Sequence, residues 1–106
     1  MSTELCLKCP TCLGHTPTMS FTVHLGAMWK EAGVHEALLT SDGRRAGDFI
    51  ETLAAGLADM EARPDAYRAL EWTRSPRWED YDDALKFLRG WLALCRQSPD
   101  STILRY

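Results

Sequence analysis

The chain has 106 residues, 45% of them apolar and 25% charged, with a formal charge of −3. That is the balance of a single globular core, which excludes a wholly disordered chain and leaves no room for a second domain. No apolar run reaches the roughly 18 residues of a membrane span, and the acidic balance opposes a general nucleic-acid binder, which carries a basic excess.

Residues 1–8 have no basic start followed by an apolar stretch, so no secretory signal is expected and the cytoplasm is the expected compartment. Residues 3–8 predict a strand with Leu5 and Leu7 on one face. Cys6, Cys9 and Cys12 crowd its far end, and Cys9-Pro10-Thr11-Cys12-Leu13-Gly14 reads as C-P-x-C-x-G. Two thiolates coming off a tight turn are the chemistry of a zinc knuckle. A closed structural site takes four ligands, and Cys6, Cys9 and Cys12 with His15 or His24 would supply them to one zinc ion per chain. A second knuckle, the usual complement of a zinc ribbon, is absent. Two alternatives stay open: a redox pair of lowered thiol pKa, and plain half-buried thiols.

Residues 19–24 predict a second strand, Phe21 and Val23 alternating with Ser20, Thr22 and His24. Together the strands make a knuckle hairpin over 3–24. Residues 25–39 predict a helix with Leu25, Met28, Ala32, His35 and Leu39 on its apolar stripe and Trp29 beside them. Asp42-Gly43 breaks the chain. Arg44 and Arg45 follow. Residues 46–62 predict a helix with Ala46, Phe49, Ile50, Leu53, Leu57 and Met60 inward. Pro64 ends it and opens a short helix to about residue 70.

The segment 71–79 is irregular and holds Trp72, Arg74, Arg77 and Trp78. Tryptophan and arginine are the residues of binding hot spots, and they also stack on bases or sugar-phosphates. The alternative is that both rings plug a sheet–helix junction. Residues 80–96 predict the strongest helix, striped by Tyr81, Ala84, Leu85, Leu88, Trp91, Leu92 and Cys95, with acids at its start. Residues 101–106 predict a last strand.

The order predicts an α+β fold in one domain: a small antiparallel sheet, made of the N-terminal hairpin and the C-terminal strand, against three to four helices spanning 25–96. Nothing in the sequence points to an enzyme. A serine elbow, a P-loop and H-E-x-x-H are all absent. The leading expectation is a small binding or regulatory protein with a protein partner, engaged by Trp72, Arg74, Arg77, Trp78 and Tyr81. A second is a binder of a small anionic nucleotide using His24, Arg44, Arg45 and the loop tryptophans. A third is a zinc-dependent nucleic-acid module, which the charge opposes.

The chain also resembles a family of small bacteriophage and actinobacterial proteins of uncharacterised activity. Cys9, Pro10, Cys12 and Gly14 match its knuckle, His24 and Leu25 its strand end, and Met28, Ala32, Gly33, Glu36 and Leu38 its first helix. Trp78 and Tyr81 match its Asn-Gly-Trp-Gly-x-Tyr loop, Leu92 and Cys95 its last helix, and Pro99 and Asp100 its final turn. Val23 departs from a threonine of the pattern, and Pro76, Arg77 and Glu79 replace the glycines and asparagine of the loop. The resemblance implies a phage-like origin and the α+β architecture. It implies no reaction.

Overall fold

The computed structural model describes residues 2–9, 14–71 and 80–106. Alternation sets its sheet. In β1 (Ser2–Lys8), Leu5 and Leu7 turn to one face and are buried. β2 (Met19–Thr22) pairs antiparallel with β1, Thr3 opposite Phe21 and Leu5 opposite Met19. β3 (Thr102–Arg105) takes the other edge of β1, with Leu7 opposite Ile103. The order is β2-β1-β3. The C-terminal strand therefore joins the N-terminal hairpin, as the sequence predicts.

Five helices complete an α+β fold among the described residues: α1 (Gly26–Ala32), α2 (His35–Leu39), α3 (Ile50–Ala62), α4 (Pro64–Arg68) and α5 (Tyr81–Gln97). Leu5, Leu7, Phe21 and Ile103 from the sheet meet Met28, Trp29, Leu53, Leu88 and Trp91 in one continuous core. Phe21 stands edge-on to both Trp29 and Phe87, with ring centres 5.5 and 4.9 Å away. Glu4, Lys8 and Ser20, on the opposite face of the sheet, are exposed.

Three boundaries differ from those predicted. The second strand stops at Thr22, and Val23–Leu25 form a 3-10 turn that delivers Leu25 into the core. The helix expected over 25–39 is broken at Gly33. Its φ of 76° closes α1 in the left-handed conformation that glycine alone adopts without strain, and the Val34 N–H returns to the Trp29 carbonyl at 2.9 Å. The break rotates the apolar stripe. Val34 takes the buried position predicted for His35, which is only half-buried. The helix expected from residue 46 begins with a 3-10 turn, Ala46–Phe49. Its first amides are turned outward, Ala46 N–H to the Ser101 carbonyl at 2.9 Å and Gly47 N–H to that of Pro99 at 2.8 Å.

That contact belongs to a strap over residues 42–47. The Gly43 N–H donates to Ile103 at 2.7 Å, the Ile103 N–H to Arg44 at 2.8 Å, and the Arg105 N–H to the Asp42 carboxylate at 2.7 Å. The strap covers the outer edge of β3. At the α3–α4 corner, Arg63 and the Tyr67 hydroxyl both donate to Asp59, and together they hold its carboxyl down to about 2.

α1 and α3 approach closely at Gly56. A Cβ there would lie 2.4 Å from Val34 Cγ1 and 3.0 Å from the Ala32 carbonyl oxygen. Overpacking of this kind costs about 1–3 kcal/mol, against about 1 kcal/mol gained in helix propensity. Gly56→Ala is therefore expected to destabilise the fold, lowering the denaturation midpoint in guanidinium with the slope unchanged.

Candidate functional site

Trp72, Arg74, Arg77 and Trp78 lie outside the described residues, but both flanks of their segment are described. Each flank is built for rigidity. Pro64 opens α4, whose missing N–H costs nothing in a first turn. On the other side Asp80 caps α5: its carboxylate accepts the Asp83 N–H at 3.0 Å, and Asp83 returns the contact to the Asp80 N–H at 3.2 Å.

The flanks are tied to each other. The Glu71 carboxylate accepts the Tyr81 N–H at 2.7 Å. Arg68 lies 3.3 Å from Asp82 and 3.9 Å from Glu71, and its guanidinium sits 4.9 Å from the centre of the Tyr81 ring. Tyr81 is buried, and its hydroxyl donates to the Met60 carbonyl at 2.6 Å. Tyr81 was expected to face a partner. It instead anchors the base of the segment, because a ring on the apolar stripe of α5 finds more area to bury inside than outside. Arg68 and Glu71, which tie the two flanks together, were missed by sequence reasoning; their only signal was closeness to Trp72 in the chain.

Of the expected zinc ligands, Cys6, Cys9, His15 and His24 are described, and no three of them form a group able to hold a metal ion. Cys6 lies on the face of β1 opposite Leu5 and Leu7, and its buried thiol is 3.8 Å from the Tyr106 hydroxyl. Cys9 lies one residue beyond the end of β1, in the turn that follows. His24 follows β2 at the Ser2 end of the sheet, about 23 Å along β1 from Cys9 at the strand rise of 3.3 Å. Its ring nitrogen Nδ1 is 3.0 Å from the Thr22 hydroxyl.

Cys9 and His15 do meet. They line one concave pocket of about 220 Å³ with Leu7, Thr16, Ser98 and Ser101. The Cys9 N–H donates to the Gly14 carbonyl at 3.1 Å and closes the turn. His15 Nδ1 is 2.9 Å from the Thr16 carbonyl, which can only accept, so that nitrogen is the donor and Nε2 is the ring nitrogen outside this contact. Cys12 lies outside the described residues. Among the described residues, no three His, Cys, Asp or Glu side chains form a group able to hold a metal ion.

The residues expected to hold an anion are dispersed. Arg45 binds Asp100 at 2.7 Å and Asp48 at 3.4 Å, and these hydrogen bonds raise its pKa further. Arg44 lies over the Phe49 ring at 5.3 Å. Both belong to the strap beyond β3, whereas His24 follows β2. Three strand spacings, about 14 Å, and about 20 Å of strand length separate them. Cys95 is buried in the core as the stripe predicted, and burial pushes its thiol up to about 12.

No helix among the described residues is long and apolar enough to cross a membrane. The chain matches no family model, no curated protein and no solved structure. The stem described above yields a direct expectation. Glu71→Ala leaves the Tyr81 amide without its acceptor, so its hydrogen exchange should accelerate about ten-fold, from a bond to a charged group worth about 1.5 kcal/mol. Exchange at the Trp91 amide should stay unchanged.

Proposed function

We propose that this chain is a small non-enzymatic binding protein that engages a protein partner through residues 72–79. The observation that supports the reading is the tied stem: Glu71, Arg68 and the α5 cap hold the two ends of the Trp72–Trp78 stretch together. A segment fixed at its base meets a partner with less conformational entropy to lose. Its residue types, two tryptophans and two arginines in eight positions, are those that dominate binding energy at interfaces. The phage-like resemblance makes a host or phage protein the partner class. The Trp72→Ala, Trp78→Ala double variant should keep its melting temperature and lose partner capture by at least ten-fold, the cost of one or two hot-spot residues at about 2 kcal/mol each. Unchanged capture would refute the reading.

A second element of the proposal is a zinc ion at the hairpin tip. The pocket shared by Cys9 and His15, with His15 Nε2 outside the Thr16 contact, favours it. Cys9, Cys12 and His15 would be the protein ligands, with a fourth position left to water or an external group. Native mass spectrometry of reduced protein should show one zinc per chain. Cys9→Ser and His15→Ala should each lose it, and Cys6→Ala should retain it.

A further inference from the structure

The two edges of the sheet differ. The outer edge of β3 is covered by the strap 42–47, which exchanges hydrogen bonds with Ile103 and Ser101. The outer edge of β2 has no strand beside it among the described residues. The register shows which groups it presents. The Tyr106 N–H donates to the Glu4 carbonyl, so Glu4 directs its backbone toward β3. Its neighbours Thr3 and Leu5 then direct theirs toward β2, onto Phe21 and Met19. Ser20, between them, points its N–H and C=O away from the sheet.

A concave pocket of about 240 Å³ lies beside this edge, on the helix side, lined by Met19, Ser20, Asp83, Lys86 and Phe87. Met19 and Phe87 are its apolar lining. At the rim, Lys86 makes no salt bridge among the described residues, while Asp83 is committed to the α5 cap.

We propose that β2 and this pocket receive an extended segment of a protein partner, added to the sheet as a further strand. The segment carries an apolar side chain for the Met19–Phe87 pocket and an acidic residue two positions away for Lys86. Alternate residues of a strand share a face about 7 Å apart, so one apolar and one acidic side chain reach both features. The outward groups of Ser20 supply the main-chain bonds, and the pocket supplies the selectivity. A second copy of this chain fits less well. The side chains its own β2 turns to that side are Met19 and Phe21, and both are engaged in its own core. This surface deepens the protein-binding reading and rests on it, but it lies on β2 rather than on residues 72–79.

The test is selection from a displayed library of random linear peptides, followed by titration of the enriched synthetic peptides. Enriched peptides should share an apolar residue with Asp or Glu two positions away, and binding should slow exchange of the Ser20 amide. Ser20→Pro removes an outward N–H without touching the β1–β2 ladder, and an edge strand tolerates proline. It should weaken binding about ten-fold, the loss of one main-chain hydrogen bond, with the melting temperature kept. Lys86→Glu should weaken binding independently, and it carries the test if Ser20→Pro fails to fold. The Trp72→Ala, Trp78→Ala variant should bind these peptides normally. Failure to enrich any peptide, or peptides indifferent to Ser20→Pro and Lys86→Glu, would overturn the proposal. Peptides lost only with the tryptophans would overturn it while supporting the 72–79 reading. Protection of the Ser20 amide by protein concentration alone would assign the edge to a second copy and overturn it too.

Discussion

The strand at the very start of the chain lies in the middle of the sheet, and the rest of the structure depends on that. A central strand needs a partner on each side for its backbone groups. β2 supplies one through a hairpin. The other comes from a distant part of the chain, β3 at Thr102–Arg105. The helices must therefore span the gap between the end of β2 and the start of β3, and they must do so over one face of the sheet. α5 runs along that face. Phe87, Leu88 and Trp91 meet Phe21, Leu5 and Leu7 in the common core. The strap 42–47 is a consequence of the same arrangement: it closes the edge that β3 would otherwise expose.

Hydrophobic contact rather than charge holds the parts together. Most ion pairs among the described residues join exposed side chains, as with Arg45 and Asp100 at 52% and 76% accessibility, and solvent screening leaves pairs of this kind little net worth. What they do is fix direction. Arg63 ties α3 to Glu31 of α1, and Arg68 ties the end of α4 to the start of α5. The core itself carries a polar cost. The indole N–H groups of Trp29 and Trp91 are buried and take no hydrogen-bond partner among the described residues. Each forgoes about 1–3 kcal/mol. Their ring area, of order 200 Å² apiece, recovers more than that.

The four tryptophans divide in the same way. Trp91, on the α5 stripe, and Trp29, beside that of α1, are consumed by the core. Trp72 and Trp78 belong to a segment with no apolar periodicity, entered from a short helix and left through a capped one. The stem of that segment, the open edge of β2 and the pocket of Cys9 and His15 are three features that the fold builds without needing them for its core.

Much of the architecture was legible in the sequence, because local patterns and tertiary packing agree there. Strand alternation around Leu5 and Leu7, the α5 stripe from Tyr81 to Cys95, its acidic cap and the stop at Pro64 are each set by neighbouring residues. Two of the three long predicted helices were broken or unwound where distant partners intervened: at Gly33, where α1 ends and Val34 meets α3, and at Ala46, whose amide is taken by Ser101. The candidate site residues were less legible. Cys6 and Cys9 read as one C-x-x-C step, but Cys6 is buried in β1 beside Tyr106 and Cys9 lies in the turn after it. His24 lies close to Cys9 in sequence and at the far end of the hairpin in space. Residue type and periodicity alone determined most of the core positions and which residues are chemically capable. Only the tertiary structure decided which capable residues meet, because strand register and sheet order set distances that sequence separation does not record.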